Sequence, residues 1–164
     1  RTHQIFTINA PNFTAGLMHL CGNTLAALTY GIIYNLYSGS GLLVTGVMYE
    51  TAIFVGGLGH ALVWPYKGLI GCSPGVYGLI GGCWVLVIFN RHKLDPFVAF
   101  VLPIVLVAQL VGDVVSYLVM FSTGIGYVSH FFGFYTGVTL SLAFLLWDSK
   151  RDDLLRKSFG VLGL

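Results

Sequence analysis

The distribution of charged side chains constrains the fold of this chain most strongly. Three long stretches contain no Asp, Glu, Lys or Arg, namely residues 2–49, 68–90 and 114–147. Of the 164 residues, 56% are hydrophobic and only 9% are charged, and the mean hydropathy is +0.84. A soluble domain of this size needs a more polar surface, so the composition indicates an integral membrane protein.

The apolar stretches divide into segments that are long enough to cross a bilayer, which takes about 20 helical residues. Turn-forming residues separate them, as at Ser38-Gly39-Ser40-Gly41. The sequence therefore predicts an all-α fold, a bundle of transmembrane helices that forms a single domain over residues 1–164. The predicted spans are 13–37, 42–64, 74–90, 96–121 and 126–147, and a basic tail follows at 148–164.

An odd number of spans places the two chain ends on opposite sides of the membrane. The positive-inside rule then assigns the C-terminal end to the cytoplasmic or equivalent inner side, and the N-terminal end to the outer side. Plasma, endomembrane and mitochondrial inner membranes are all compatible with this topology. The net charge of +2 is small and anionic lipid head groups suffice as its partner, so no nucleic acid is expected to bind. The basic residues on the inner side are Arg91, Lys93, Lys150, Arg151, Arg156 and Lys157.

The third predicted span is short. A helix from Pro74 to Phe89 rises about 24 Å, less than the hydrocarbon thickness of about 30 Å. Ser73 is therefore predicted to lie below the outer membrane surface, at the floor of a cavity that admits water. Taken alone, Gly-x-Ser favours the interpretation of Ser73 as an N-cap, with Pro74 at the first helical position.

His130 opens the last span on the same side of the membrane as Ser73. Gly133 and Gly137 follow it at i+3 and i+7, and small residues let helices approach closely. Such packing would bring the imidazole within reach of the serine hydroxyl, as a general base requires. An interfacial histidine beside a glycine-packed helix is the alternative interpretation. The predicted matching strip on the third span is Gly75, Gly78 and Gly82, with Gly71 before it.

His19 and Asn23 are spaced i, i+4 on the first span, so their side chains point the same way. Hydrogen-bond donors aimed at a developing oxyanion are usually a large catalytic term. The pair is also compatible with an interhelical hydrogen bond of purely structural value. Tyr77 lies one turn after Ser73, where its ring is expected to flank the imidazole.

These motifs, in this order, resemble those of the rhomboid family of intramembrane serine proteases. The resemblance implies that Ser73 is the nucleophile and His130 the base. It also implies oxyanion donors from His19 and Asn23, and from the backbone N–H groups of Ser73 and Cys72. The motifs are His19-x-x-x-Asn23, Gly71-Cys72-Ser73-Pro74, and His130-x-x-Gly133 with Gly137.

The resemblance has further implications. A transmembrane protein substrate would enter sideways, unwind near its outer end and form an acyl-enzyme, with no metal or organic cofactor.

Tyr77 and Gly81 fall where the family tends to place an aromatic and a small residue. Pro74 departs from the family, which commonly has glycine there. The family core also has a helix before the HxxxN motif, which implies a helix before Arg1 that lies outside this sequence or has been lost. The second span matches a glycine-rich family segment through Gly56, Gly57 and Gly59.

Two other functions are compatible with the sequence. One is a catalytically inactive rhomboid-like protein that acts as a binding or structural subunit of a larger membrane complex. The other is a small channel or transporter, although the chain has no inverted repeat. Glu50 and Asp113 lie within predicted spans, and neither is assigned a role. The three cysteines are interpreted as small packing residues: Cys21, Cys72 and Cys83.

Overall fold

The computed structural model of the chain describes residues 10–66, 71–119 and 126–161. Its secondary structure there consists of α-helices and one short 3-10 turn at Arg91–Lys93. The helices are α1 (Ala10–Ser38), α2 (Gly41–Val63), α3 (Ser73–Phe89), α4 (Pro96–Val119) and α5 (Tyr127–Val161). The predicted all-helical membrane fold is confirmed.

Four helices, α1, α2, α4 and α5, contain segments long and apolar enough to cross a membrane, whereas α3 has only 17 residues. α5 continues to Val161, so the first part of the expected tail is helical. Four sequence expectations lie outside the described residues: those for Arg1, Lys67, the end of the fourth span at 120–121, and 162–164.

α3 lies at the centre of the bundle and is buried along most of its length. This position agrees with its sequence, which is apolar all round. α5 runs parallel to α3, because Gly133 contacts the Pro74 carbonyl and Gly137 contacts the Gly78 carbonyl. α2 runs antiparallel to α3, with Gly56 beneath the ring of Pro74.

The glycine strip on α3 differs from the prediction. Gly78 contacts α5 as predicted, although its Cβ direction points at Ala52 of α2, and Gly75 and Gly82 do not face α5. The Cβ direction of Gly75 points at the Tyr49 ring of α2, while that of Gly82 points at Tyr34 and Met48. Gly81 takes their place and lies against the backbone of Phe134 and Val138. The physical reason is that a central helix shares its small residues among three neighbours.

The inner half of the bundle is densely packed. The Tyr34 hydroxyl of α1 donates a hydrogen bond of 3.0 Å to Ser141 Oγ of α5, and both side chains are buried. α4 joins this core through Leu102 and Leu106. Its outer half is different, since Leu110 is 54% exposed and borders a cleft between α4 and α5.

Candidate active site

The segment before α3 positions the serine. Gly71 has φ = +128°, a backbone conformation that side chains with a Cβ rarely adopt. Cys72 is the N-cap residue, and its carbonyl accepts a hydrogen bond of 3.0 Å from the Gly75 N–H. Ser73 is the first residue of α3, and its neighbour Pro74 has no N–H to leave unpaired. The interpretation of Ser73 as the N-cap is therefore wrong, because Cys72 holds the N-cap position and Ser73 is already helical.

The Ser73 hydroxyl instead contacts the imidazole of His130. Ser73 Oγ and His130 Nε2 are 2.8 Å apart. When the hydroxyl donates to Nε2, the ring proton resides on Nδ1. Nδ1 is buried and has no hydrogen-bond partner within the described part of the chain. The geometry brings together a hydroxyl and its potential base without a carboxylate behind the imidazole.

The Tyr77 ring packs face to face against the imidazole of His130. The two rings are stacked, with centroids 4.1 Å apart and an interplanar angle of 10°. Tyr127 approaches the other side edge-on, at 6.2 Å. Tyr77 thus lies where the sequence predicted it, with its ring flanking the imidazole.

Two residues extend this arrangement into α4: Gln109, which the sequence reasoning missed, and Asp113, to which it assigned no role. Gln109 Nε2 donates to the Tyr77 hydroxyl at 3.4 Å, and it also lies 3.3 Å from Asp113 Oδ1. The signal was present, since Gln109 and Asp113 form a polar i, i+4 pair within an otherwise apolar helix. Their contact with Tyr77 required knowing how α4 packs against α3.

His19 and Asn23 lie beside the serine. Asn23 Nδ2 and His19 Nε2 are 3.0 Å apart, as the i, i+4 spacing allows. A Cβ at Gly71 would lie 3.3 Å from His19 Nε2, so the first span reaches the serine loop closely. Both side chains line one cavity together with Ser73 and His130. Their role as oxyanion donors, like that of Cys72, stays a prediction.

This cavity, which we call the serine cavity, has a volume of about 340 Å³. Two clefts adjoin it. One, of about 510 Å³, separates α4 from α5, and the other, of about 400 Å³, separates α4 from α1. Gln109 lines all three spaces. The outer half of α4 is therefore flanked by the serine cavity and by the cleft towards α5, whereas the cleft towards α1 runs along its inner half.

The protein is a helical membrane bundle in which a serine and a histidine side chain meet in a cavity, as expected for a rhomboid-like protein. The comparison with known families agrees with it, since the Rhomboid domain matches residues 3–147. The chain belongs to the rhomboid family.

A mouse protein, rhomboid-related protein 2, is 33% identical to it over 99 residues. That match covers 60% of this chain and 32% of the mouse protein, so the chain aligns with about a third of its relative's length. No solved structure matches the chain significantly.

Proposed function

We propose that the protein is an intramembrane serine endopeptidase that cleaves transmembrane protein substrates through a Ser73–His130 dyad. The observation that carries this proposal is the 2.8 Å contact between Ser73 Oγ and His130 Nε2. A base in hydrogen-bond contact with a hydroxyl is the minimum arrangement that activates a serine nucleophile. The adjoining clefts support the proposal, because a substrate helix needs a path from the lipid to the hydroxyl.

The proposed reaction begins when His130 Nε2 accepts the Ser73 proton as the hydroxyl attacks a peptide carbonyl. The developing oxyanion is stabilised by donors on the opposite wall, His19 and Asn23, and by N–H groups at the start of α3. His130 then protonates the leaving amine, and an acyl-enzyme forms on Ser73. Water in the serine cavity, activated by the same imidazole, releases the second product.

We further propose that the inner end of the bundle, with the C-terminal part of α5, faces the cytoplasm or its equivalent. Arg91 and Lys93 follow the C-terminal end of α3, the end opposite to Ser73. Lys150 lies at the same end of the bundle, because α5 is parallel to α3. The positive-inside rule supports this orientation, which puts the serine cavity towards the outer side.

Covalent labelling tests the proposed activity directly. A fluorophosphonate probe is expected to label the purified full chain in detergent micelles, and a single-span substrate is expected to be cleaved. Ser73→Ala and His130→Ala should each abolish both signals while the helical content stays unchanged. A well-folded sample that neither reacts nor cleaves would contradict the proposal.

The second candidate function is an inactive rhomboid-like binding subunit, and Pro74 favours it. The Pro74 ring is fully buried above Gly56, where the family resemblance leads one to expect glycine. If the protein does not label, Pro74→Gly separates the two cases. Restored labelling would show that the proline silences an intact site, whereas continued inactivity with stable co-purification in a complex would support the subunit.

A further inference from the structure

Asp113 is an acid at membrane depth for which the proposed reaction has no use. It lies six residues before Val119, where the described part of α4 ends, or about 9 Å along the helix. Its side chain lines both the serine cavity and the cleft between α4 and α5. An ionisable side chain in a membrane span is costly and marks a functional site by default.

The surroundings of Asp113 leave its carboxylate incompletely satisfied. Gln109 Nε2 lies 3.3 and 3.5 Å from its two oxygens, and the Tyr77 hydroxyl also faces the carboxylate, so the described donors around Asp113 are both neutral. A carboxylate has about four acceptor sites. Among the described residues lining the two spaces, Asp113 is the sole acid, and no lysine or arginine is present. The described basic residues lie at the inner end of the bundle, at Arg91, Lys93 and Lys150.

We propose that Asp113 forms a subsite for a lysine or arginine side chain of a transmembrane protein segment bound in the cleft between α4 and α5. This inference deepens the proposed function, because it names the substrate class of the same site. The rest of the cleft suits the apolar body of such a segment, being lined by side chains such as Trp84, Leu110 and Phe131.

Charge complementarity carries the proposal. A basic residue in the outer half of a transmembrane segment is costly in lipid and gains most from an opposite charge at its own depth. Asp113 offers that charge beside the catalytic pair, since Tyr77 contacts both Gln109 and His130. The long aliphatic stem of lysine or arginine lets its charged group reach Asp113 from the cleft.

Binding can be measured without hydrolysis by using the Ser73→Ala variant of the full chain in detergent micelles. Fluorescent transmembrane peptides would carry Lys, Gln, Leu or Glu at successive positions of the outer half. At one depth the Lys peptide is expected to bind about 10- to 100-fold more tightly than the Leu peptide, the range for a hydrogen bond to a charged group. Asp113→Asn, in the same background, should remove that preference, and Asp113→Lys should transfer it to the Glu peptide.

Glu50→Gln is the matched control, because it removes a carboxyl from an exposed position on α2 that borders neither space. It should leave the preference unchanged. The inference is overturned if Lys is preferred at no depth, or if the preference survives Asp113→Asn. It is also overturned if Asp113→Asn weakens all peptides equally, which would instead make Asp113 a positioning residue for Tyr77.

The same peptides, given to the chain with Ser73 intact, distinguish this inference from the proposed function. Selective binding without cleavage would contradict the protease and retain the subsite. Cleavage without selectivity would retain the protease and contradict the subsite.

Discussion

α4 and α5 both pack against α3, but they do so in opposite ways. α5 approaches so closely that Gly133 and Gly137 meet the backbone carbonyls of α3. α4 contacts α3 through side chains, mainly in its inner half, and its outer half lies between the serine cavity and the cleft towards α5. The Ser73–His130 pair lies at the close interface, and the proposed substrate path lies at the open one.

The difference shows how one bundle can fix the distance between two side chains at one interface and leave open space for a ligand at another. In a membrane, helices associate through packing and polar contacts, because lipid tails are as apolar as the side chains. Backbone-to-backbone contact leaves α5 little freedom, so the distance between Ser73 and His130 is well determined. α4 lacks such contact in its outer half, where Gln109 supplies a polar link to Tyr77.

The largest expected effect comes from adding one methyl group at the close interface. Gly137→Ala places a Cβ against the Gly78 carbonyl, and backbone cannot rotate away as a side chain can. We expect a loss of about 3 kcal/mol in stability and a loss of fluorophosphonate labelling. Gly112→Ala is the control on α4, since its Cβ would enter open space. Equal thermal stability of the two variants would remove the distinction between the helices.

A second pair of variants compares the two halves of α4. Leu106 is fully buried and Leu110 is 54% exposed. Leu106→Ala should cost about 2 kcal/mol, chiefly for the cavity that it leaves, whereas Leu110→Ala should change the unfolding midpoint little. Denaturation in mixed micelles measures both. If Leu110→Ala costs as much as Leu106→Ala, the outer half of α4 is not the loosely packed region described here.

The smallest effect is expected where the two interfaces meet, at Tyr77. Tyr77→Leu removes the stack on His130 and should slow fluorophosphonate labelling about tenfold, in line with the energy of an aromatic pair. Tyr77→Phe keeps the stack but removes the hydroxyl that contacts Gln109 and Asp113, so labelling should fall by roughly threefold or less. Labelling rates should be compared at matched folded fractions. A larger loss for phenylalanine than for leucine would show that the hydroxyl, and not the ring, orients the imidazole.

The sequence predicted most of the architecture, because charge-free apolar stretches have few alternatives to membrane helices. It also predicted the approach of His130 to Ser73, since the glycines after the histidine mark a close contact. It did not predict which glycines of α3 face which neighbour. Gly75 turned out to face α2, because the rotation of a central helix depends on three partners at once.

The link through Gln109 escaped the sequence reasoning for a related reason. A polar residue on an apolar helix indicates an inward face, but its partner depends on the rotation and depth of that helix. Asp113 was noticed and left without a role. Its place beside both cavities emerged only when α4 was positioned against α3.

His130 Nδ1 has no hydrogen-bond partner among the described residues, and this affects the expected rate of the proposed reaction. During each turnover the imidazole must become a cation for a short time, and in a triad a carboxylate stabilises that cation. Here the aromatic face of Tyr77 lies beside the ring instead. A proteolytic cycle built on this pair should be slower than one built on a triad. The proposed protease would then set how long a membrane substrate persists before cleavage, and would not suit the rapid degradation of many substrates.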